Sequence, residues 1–237
     1  MKSTSERSYG AVLENAKKLL ITIQSFANYQ ASRTEDSIAE FQKLINDCDK
    51  DNSTVATSLG EYTNAVDKRT KAFLGKDTNS INKLLSPLGK AIASQYDKTS
   101  KEYNIIMGII NRMRAQKLEK APANPTEDKK ESISKSELSY GSKLQNFKDL
   151  ISNLEVFGNF NPANAALKID QLKTLVGELE TLNTAVNSKL APLTLARNKR
   201  KELFEELGKR AQRIKANVSS IYGNSSVEYK QVKGLKV

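Results

Sequence analysis

The chain of 237 residues has no histidine, no tryptophan, one cysteine and only five prolines. Without imidazole there is no Ser-His-Asp or Cys-His catalysis and no histidine–metal ligation. A lone Cys48 cannot close an internal disulfide, which excludes a secreted disulfide framework. No apolar run reaches the length of a membrane span. The first ten residues, MKSTSERSYG, are polar where a signal peptide requires an apolar stretch. The expected location is cytoplasmic, with export by a signal-independent route left open. The sequence holds neither a phosphate loop nor a dinucleotide fingerprint. No cofactor and no small-molecule substrate are expected.

What is present favours a folded helical chain. Hydrophobic residues make up 38% and charged residues 27%, enough apolar surface to offset chain entropy. Lys, Leu and Ala are abundant and Gly is sparse, which suits helix better than sheet. The formal charge of +11 is uneven: residues 3–114 carry a net +3, residues 115–133 are balanced, and residues 134–237 carry +7.

The chain repeats itself, and an internal repeat dictates how everything else is read. STSERSYG (Ser3–Gly10) returns as SKSELSYG (Ser134–Gly141), with six of eight positions identical at an offset of 131. The offset persists through Leu13 and Leu144, Phe26 and Phe157, Asn52 and Asn183, and Val55 and Val186. It ends with TNAVDKRTKAF (Thr63–Phe73) against TLARNKRKELF (Thr194–Phe204). Beyond this it falls to 126, aligning Ser94 and Tyr96 with Ser220 and Tyr222, and TSKEYNIIMGI with SSVEYKQVKGL. The second copy has therefore lost five residues between Phe204 and Ser219. The domain reading is helical repeat 1 over 3–118, a polar linker over 119–133 with two prolines, and helical repeat 2 over 134–237.

Each copy reads as a set of helices. Capping boxes open the first helix at Ser3 with Glu6 and at Ser134 with Glu137, and the last at Thr99 with Glu102 and at Ser225 with Glu228. The second helix carries an unbroken heptad seam: Ile38, Phe41, Ile45, Cys48, Asn52, Val55, Leu59, Tyr62, Val66, Arg69 and Phe73 in copy one. Copy two gives Ile169, Leu172, Val176, Leu179, Asn183, Val186, Leu190, Leu193, Arg197, Arg200 and Phe204. Ser32 with Glu35 is the expected cap of the first long helix, and Asn161 before Pro162 that of the second. Pro192 is expected to kink the second. A third helix is expected to end near Tyr96 and near Tyr222.

Few residues invite chemistry. Cys48 lies on the seam opposite Leu179 in the other copy, so a buried thiol is expected there. Asp47, Asp49 and Asp51 resemble the start of a calcium loop, but Asn52 and Ser58 stand where Gly and Glu are required. Arg197 to Lys215 holds eight Lys or Arg against three acids. Lys199, Lys201, Lys209, Arg210, Arg213 and Lys215 there form a candidate face for an anionic partner, since clustered cations favour phosphate. Against that, Glu205 with Lys209 and Glu206 with Arg210 have the spacing of a solvated helix surface, and no aromatics interleave to stack bases. Arg69 and Arg200 are equivalent, as are Glu102 and Glu228, followed by Tyr103 and Tyr229. They are expected to form structural ties, with Arg69 in salt-bridge reach of Glu102 and Arg200 of Glu228.

SIYGNSSVEYKQVKGLKV at the end of the sequence, with TLARNKRKELF upstream, resembles a group of uncharacterised helical proteins of Bacteroidota that end in an S-x-E-Y-K-Q-V-x-G-L-K type segment. The resemblance covers mainly residues 190–237. It implies a helical bundle and a bacterial source, and no activity. The expected fold is all-α: an elongated bundle of two tandem repeats, each with one long heptad-patterned helix and shorter covering helices. The expected function is that of a non-enzymatic scaffold acting through its helical surfaces on a protein partner or on itself. The alternative is a basic module that binds nucleic acid or another polyanion.

Overall fold

Apolar residues three and four apart, with serine just ahead of the first turn, make helix the local outcome along this chain. The computed structural model describes residues 8–77, 79–114 and 139–237, and among them there is no strand. The α-helices are α1 Tyr9–Gln24, α2 Ile38–Leu74, α3 Ile81–Gln95, α4 Lys101–Arg114, α5 Tyr140–Phe157, α6 Ile169–Tyr222 and α7 Val227–Lys233. Short 3-10 turns at Thr34–Asp36 and Ala165–Leu167 precede the two long helices.

Serine hydroxyls set the starts, though not always the serines expected. Ser8 Oγ accepts from the Ala11 amide at 3.2 Å, and Ser139 Oγ from Ser142 at 3.1 Å. Ser100 and Ser226, rather than Thr99 and Ser225, cap α4 and α7, accepting from Tyr103 and Tyr229 at 3.1 and 3.0 Å. Ser37, not Ser32, stands before α2 and accepts from Glu40 at 3.4 Å. Asn164, not Asn161, opens the turn before α6 and accepts from Ala166 at 3.0 Å. Where two hydroxyls or amides are close neighbours, spacing alone does not choose between them, because an N-cap also needs extended backbone at that residue. Ser3, Glu6, Ser134, Glu137 and the 119–133 linker lie outside the described residues.

The separate third helix expected in copy two is absent, because α6 runs unbroken for 54 residues. In copy one α2 ends at Leu74 and α3 begins at Ile81. The Gly75 amide donates to the Lys71 carbonyl at 2.9 Å, and a Cβ on Gly75 would lie 2.3 Å from that oxygen. Ser80 Oγ then donates to the carbonyls of Gly75 and Asp77 at 2.8 and 3.0 Å. At the two sequence offsets α6 is five residues shorter over this stretch and has no such turn, so a single helix of about 80 Å at the usual rise stands where residues 38–95 form two. Helix α6 also continues through Pro192, which is exposed.

Two compact units result: Met1–Tyr62 with Lys189–Val237, and Thr63–Ser188. They are not the two sequence copies, for each unit takes the beginning of one copy and the end of the other. In unit 1 the front of α2 and the back of α6 run antiparallel. Glu61 meets Lys189 at 2.9 Å, Asp51 meets Lys199 at 3.1 Å and Asp36 meets Arg213 at 2.8 Å. Its core gathers Ala16, Leu19 and Ile23 of α1, Phe41, Ile45 and Cys48 of α2, Leu207, Ala211, Ile214 and Val218 of α6, and Val232 of α7. In unit 2, α4 packs on α5 and on α3. Its core gathers Phe73, Ile81, Leu85, Leu88 and Ile92, Ile106, Phe147, Leu150 and Leu154, and Leu172 and Leu179. These buried positions correspond at the two sequence offsets: Ile81, Leu85, Leu88, Ile92 and Ile106 to Leu207, Ala211, Ile214, Val218 and Val232, and Ala16, Leu19, Ile23 and Cys48 to Phe147, Leu150, Leu154 and Leu179. Each large aliphatic side chain so buried contributes about 1.5–3 kcal/mol. The heptad seam is not buried throughout, since Leu59 and Leu190 are 41% and 45% exposed. A 3.6-residue helix drifts ~20° per heptad against a 3.5 repeat, so a straight helix turns such a seam away from one neighbour.

Candidate functional site

The two repeated arginines are held inside the units, but by different partners from those expected. In unit 2 the Arg69 guanidinium lies over the Tyr140 ring, 4.1 Å from its centroid. In unit 1 Arg200 lies over Tyr9 at the same 4.1 Å. Each tyrosine also meets a phenylalanine edge-on: Tyr140 with Phe73 at 5.1 Å and Tyr9 with Phe204 at 4.7 Å. Thr70 Oγ1 and the Tyr140 hydroxyl are 3.0 Å apart. The pattern is crossed. The arginine and phenylalanine of one copy enclose the tyrosine of the other, and Phe26 with Tyr222 and Phe157 with Tyr96 cross in the same way.

No ion pair joins Arg69 to Glu102 or Arg200 to Glu228 among the described residues, so the expected salt bridges are corrected to cation–aromatic stacks. The reason is physical. A planar guanidinium gains from a ring face and from packing along its stem. Glu102 and Glu228 sit in the first turn of short helices, where the dipole already favours a carboxylate. Tyr103 and Tyr229 are half-buried against the cores of units 2 and 1. Tyr9 and Tyr140 were missed as tie residues, although the recurring SYG carried the signal.

The candidate basic face is largely engaged by the fold of unit 1. Arg213 Nε and Nη2 donate to both oxygens of Asp36 at 2.8 Å, and Asp36 is only 2% exposed. Glu35 and Glu206 stand 3.2 and 3.6 Å from the same guanidinium. Arg210 Nε donates to Glu206 at 2.8 Å, and its Nη1 to the Glu35 carbonyl at 2.7 Å. This bond from Arg210, aided by Arg213, holds the Glu206 carboxyl below its ordinary pKa against the opposing effect of burial. Lys215 donates to the Leu235 carbonyl, and burial lowers its pKa. Lys199 pairs with Asp51 and Lys201 with Glu205, the latter at 3.9 Å. Lys209 is exposed without an ion pair to a described residue. Asn217 and Tyr222 add bonds to the Gln30 and Ala27 carbonyls at 2.7 and 2.6 Å. The cations and amides of α6 thus pin the segment between α1 and α2.

Other candidates resolve into structure. Cys48 is fully buried, and burial pushes its thiol up to about 12, with Asp47, Asp51 and Asp49 adding to the shift. Asp47, Asp49 and Asp51 lie on the continuous helix α2. A groove of about 560 Å³ between α4 and α5 is lined by Asn104, Ile105, Gly108, Arg112, Asp149 and Asn153, among others. Its amides bond within their own helices, Asn104 to the Ser100 carbonyl and Asn153 to the Asp149 carbonyl. Asp149 accepts from Gln145 at 2.8 Å. No described helix is long and apolar enough to cross a membrane. No family model, curated protein or solved structure matches the chain.

Proposed function

We propose that this protein is a non-enzymatic helical scaffold, made of two fused copies of one helical unit, that acts through its outer surfaces and assembles with a protein partner or with itself. The observation that carries this reading is that the prominent polar residues are used to hold the fold together. Arg69 and Arg200 hold Tyr140 and Tyr9, and the cations of the basic run hold Asp36, Asp51 and main-chain carbonyls. The arginines kept in both copies and the cations present only in the second alike serve the fold itself, which fits a molecule whose product is a shape. Two similar faces on one chain also allow one contact to be made twice, the condition for symmetric or extended assemblies.

Light scattering of the purified protein over a wide concentration range, with negative-stain microscopy, tests the reading. Defined oligomers or filaments are expected. A strict monomer that turns over a small-molecule substrate would replace scaffold with enzyme. The polyanion alternative rests on the +7 carried by residues 134–237. It requires DNA or RNA binding that weakens steeply with added salt through counterion release. The engagement of Arg210, Arg213 and Lys215 within unit 1 argues against it.

A further inference from the structure

The crossing of the ties has a consequence for assembly. Every contact that closes unit 1 between α6 and the segment 8–62 joins copy two to copy one. Among these contacts are Arg200 on Tyr9, Lys189 to Glu61, Lys199 to Asp51 and Arg213 to Asp36. Unit 2 is closed likewise by Arg69 on Tyr140, Phe73 on Tyr140, and α4 on α5. Neither copy completes a core alone, and each presents the other with the surface it needs. The two copies are joined only through residues 115–138. Yet the ends to be connected are close, since the Lys143 ammonium in α5 donates to the Met113 carbonyl in α4 at 3.0 Å. Twenty-four residues are far more chain than that distance requires; fully extended they reach about 80 Å.

We infer that a second copy of this chain is a partner, bound by exchange of repeats. Copy two of one molecule docks on copy one of another, and the reverse, rebuilding the same cores and the same Arg–Tyr stacks between chains. The inference rests on the fused-copy reading given above. Exchange replaces each contact by an identical one, so the exchanged and closed forms differ chiefly in tethering. Surfaces tethered on one chain meet at an effective concentration on the order of millimolar. The closed monomer therefore dominates in dilute solution. The exchanged dimer accumulates when the cores open and re-form at high concentration, as exchange of identical elements allows. Reciprocal exchange between two molecules closes a dimer, while serial exchange along many leaves an open chain.

Full-length protein labelled with heavy isotopes is mixed with an equal amount of unlabelled protein, unfolded in urea and refolded across a range of concentrations. Any species of twice 26.3 kDa is isolated and treated with a zero-length carbodiimide. The reagent couples Lys189 to Glu61, whose charged atoms are 2.9 Å apart and exposed. Exchange predicts a dimer fraction that rises with refolding concentration. About half of its Lys189–Glu61 cross-links should join a heavy chain to a light one, as random reciprocal pairing requires. A dimer whose Lys189–Glu61 cross-links all stay within one chain overturns the exchange and leaves surface assembly standing. A monomer at every concentration, before and after refolding, overturns both.

Discussion

Replacing Arg213 by Met tests how unit 1 is held together and has an internal control. The Asp36 carboxylate is 2% exposed and takes both of its Arg213 bonds at 2.8 Å. Removing Arg213 leaves a buried carboxylate without its bidentate partner, a change that costs about 3–5 kcal/mol. Asp36→Leu leaves Arg213 beside Glu35 and Glu206 at 3.2 and 3.6 Å, with part of its head in water, so it should cost less, about 1–2 kcal/mol. The positions equivalent to Asp36 and Arg213 in the other copy are Leu167 and Pro87, both apolar, and Leu167 is 2% exposed. Asp36→Leu combined with Arg213→Met should therefore recover most of the loss, to within about 1 kcal/mol of the parent, because a well-packed apolar pair can replace a buried ion pair. Urea unfolding followed by far-ultraviolet circular dichroism gives the four stabilities of this double-mutant cycle. Hydrogen exchange in α1 and α5 keeps the two units apart if unfolding is not two-state. A cycle with no coupling, or an Asp36→Leu cost exceeding that of Arg213→Met, would refute the reasoning.

Arg200→Ala should loosen α1 while leaving α5 protected from hydrogen exchange, and Arg69→Ala should do the opposite. A cation–aromatic stack of this kind is worth about 0.5–2 kcal/mol, and loosening within the mutated copy's own first helix would contradict the crossed pairing. Because Cys48 is fully buried with its thiol pushed up to about 12, an aromatic disulfide reagent should label it only as fast as unit 1 opens. Labelling at the rate of a free thiol would count against that burial. Glu206 has a folded pKa below its unfolded one, so its contribution is present above the usual carboxylate range and is lost as pH falls through the folded value. Glu206→Gln should accordingly lower the urea midpoint at neutral pH and not in strong acid; a loss independent of pH would point to packing instead. Gly75→Ala should cost about 1–3 kcal/mol through a steric clash that forces the chain to move, since its Cβ would sit 2.3 Å from the Lys71 carbonyl oxygen; an unchanged thermal melt would show that the turn has room to shift.

Helix content, the long helices and most buried positions were legible because each rests on local periodicity. Ile81, Leu85, Leu88 and Ile92 recur at helical spacing whatever they pack against, and their counterparts in α6 do the same. Partner identity was not legible, because periodicity says which face is buried and nothing about by what. Arg69 and Glu102 recur together, and so do Arg69 and Tyr9 or Tyr140; recurrence alone ranks these pairs equally. Only the crossed pairing of the two copies within the chain brings Tyr140 rather than Glu102 to Arg69. The basic run misled for a related reason. Arg210 and Arg213 read as surface, since arginine on a polar helix usually is, yet their counterparts Leu84 and Pro87 in copy one are apolar. That contrast marks a buried face and could have been read from the alignment of the two copies.

The same alignment explains why a five-residue difference in length between the two stretches leaves both cores intact. A loss of five residues inside a helix would rotate everything beyond it by 500° at 100° per residue, about 140° net, and would point Ile214 and Val218 away from the core. Here the difference falls on a turn. Copy one leaves α2 after Leu74 and begins α3 at Ile81, so the direction of α3 is set by the turn and not by the phase of α2. Removing the turn hands that direction to α6, which carries Phe204, Leu207, Ala211, Ile214 and Val218 in steps of three, four, three and four, all buried. The apolar stripe is continuous across the junction. In copy one the stripe is cut between Phe73 and Ile81, and both residues are nevertheless buried in one core. One set of core positions is thus built by two backbone routes, and the requirement common to both is the burial of the five apolar residues, not the path that delivers them.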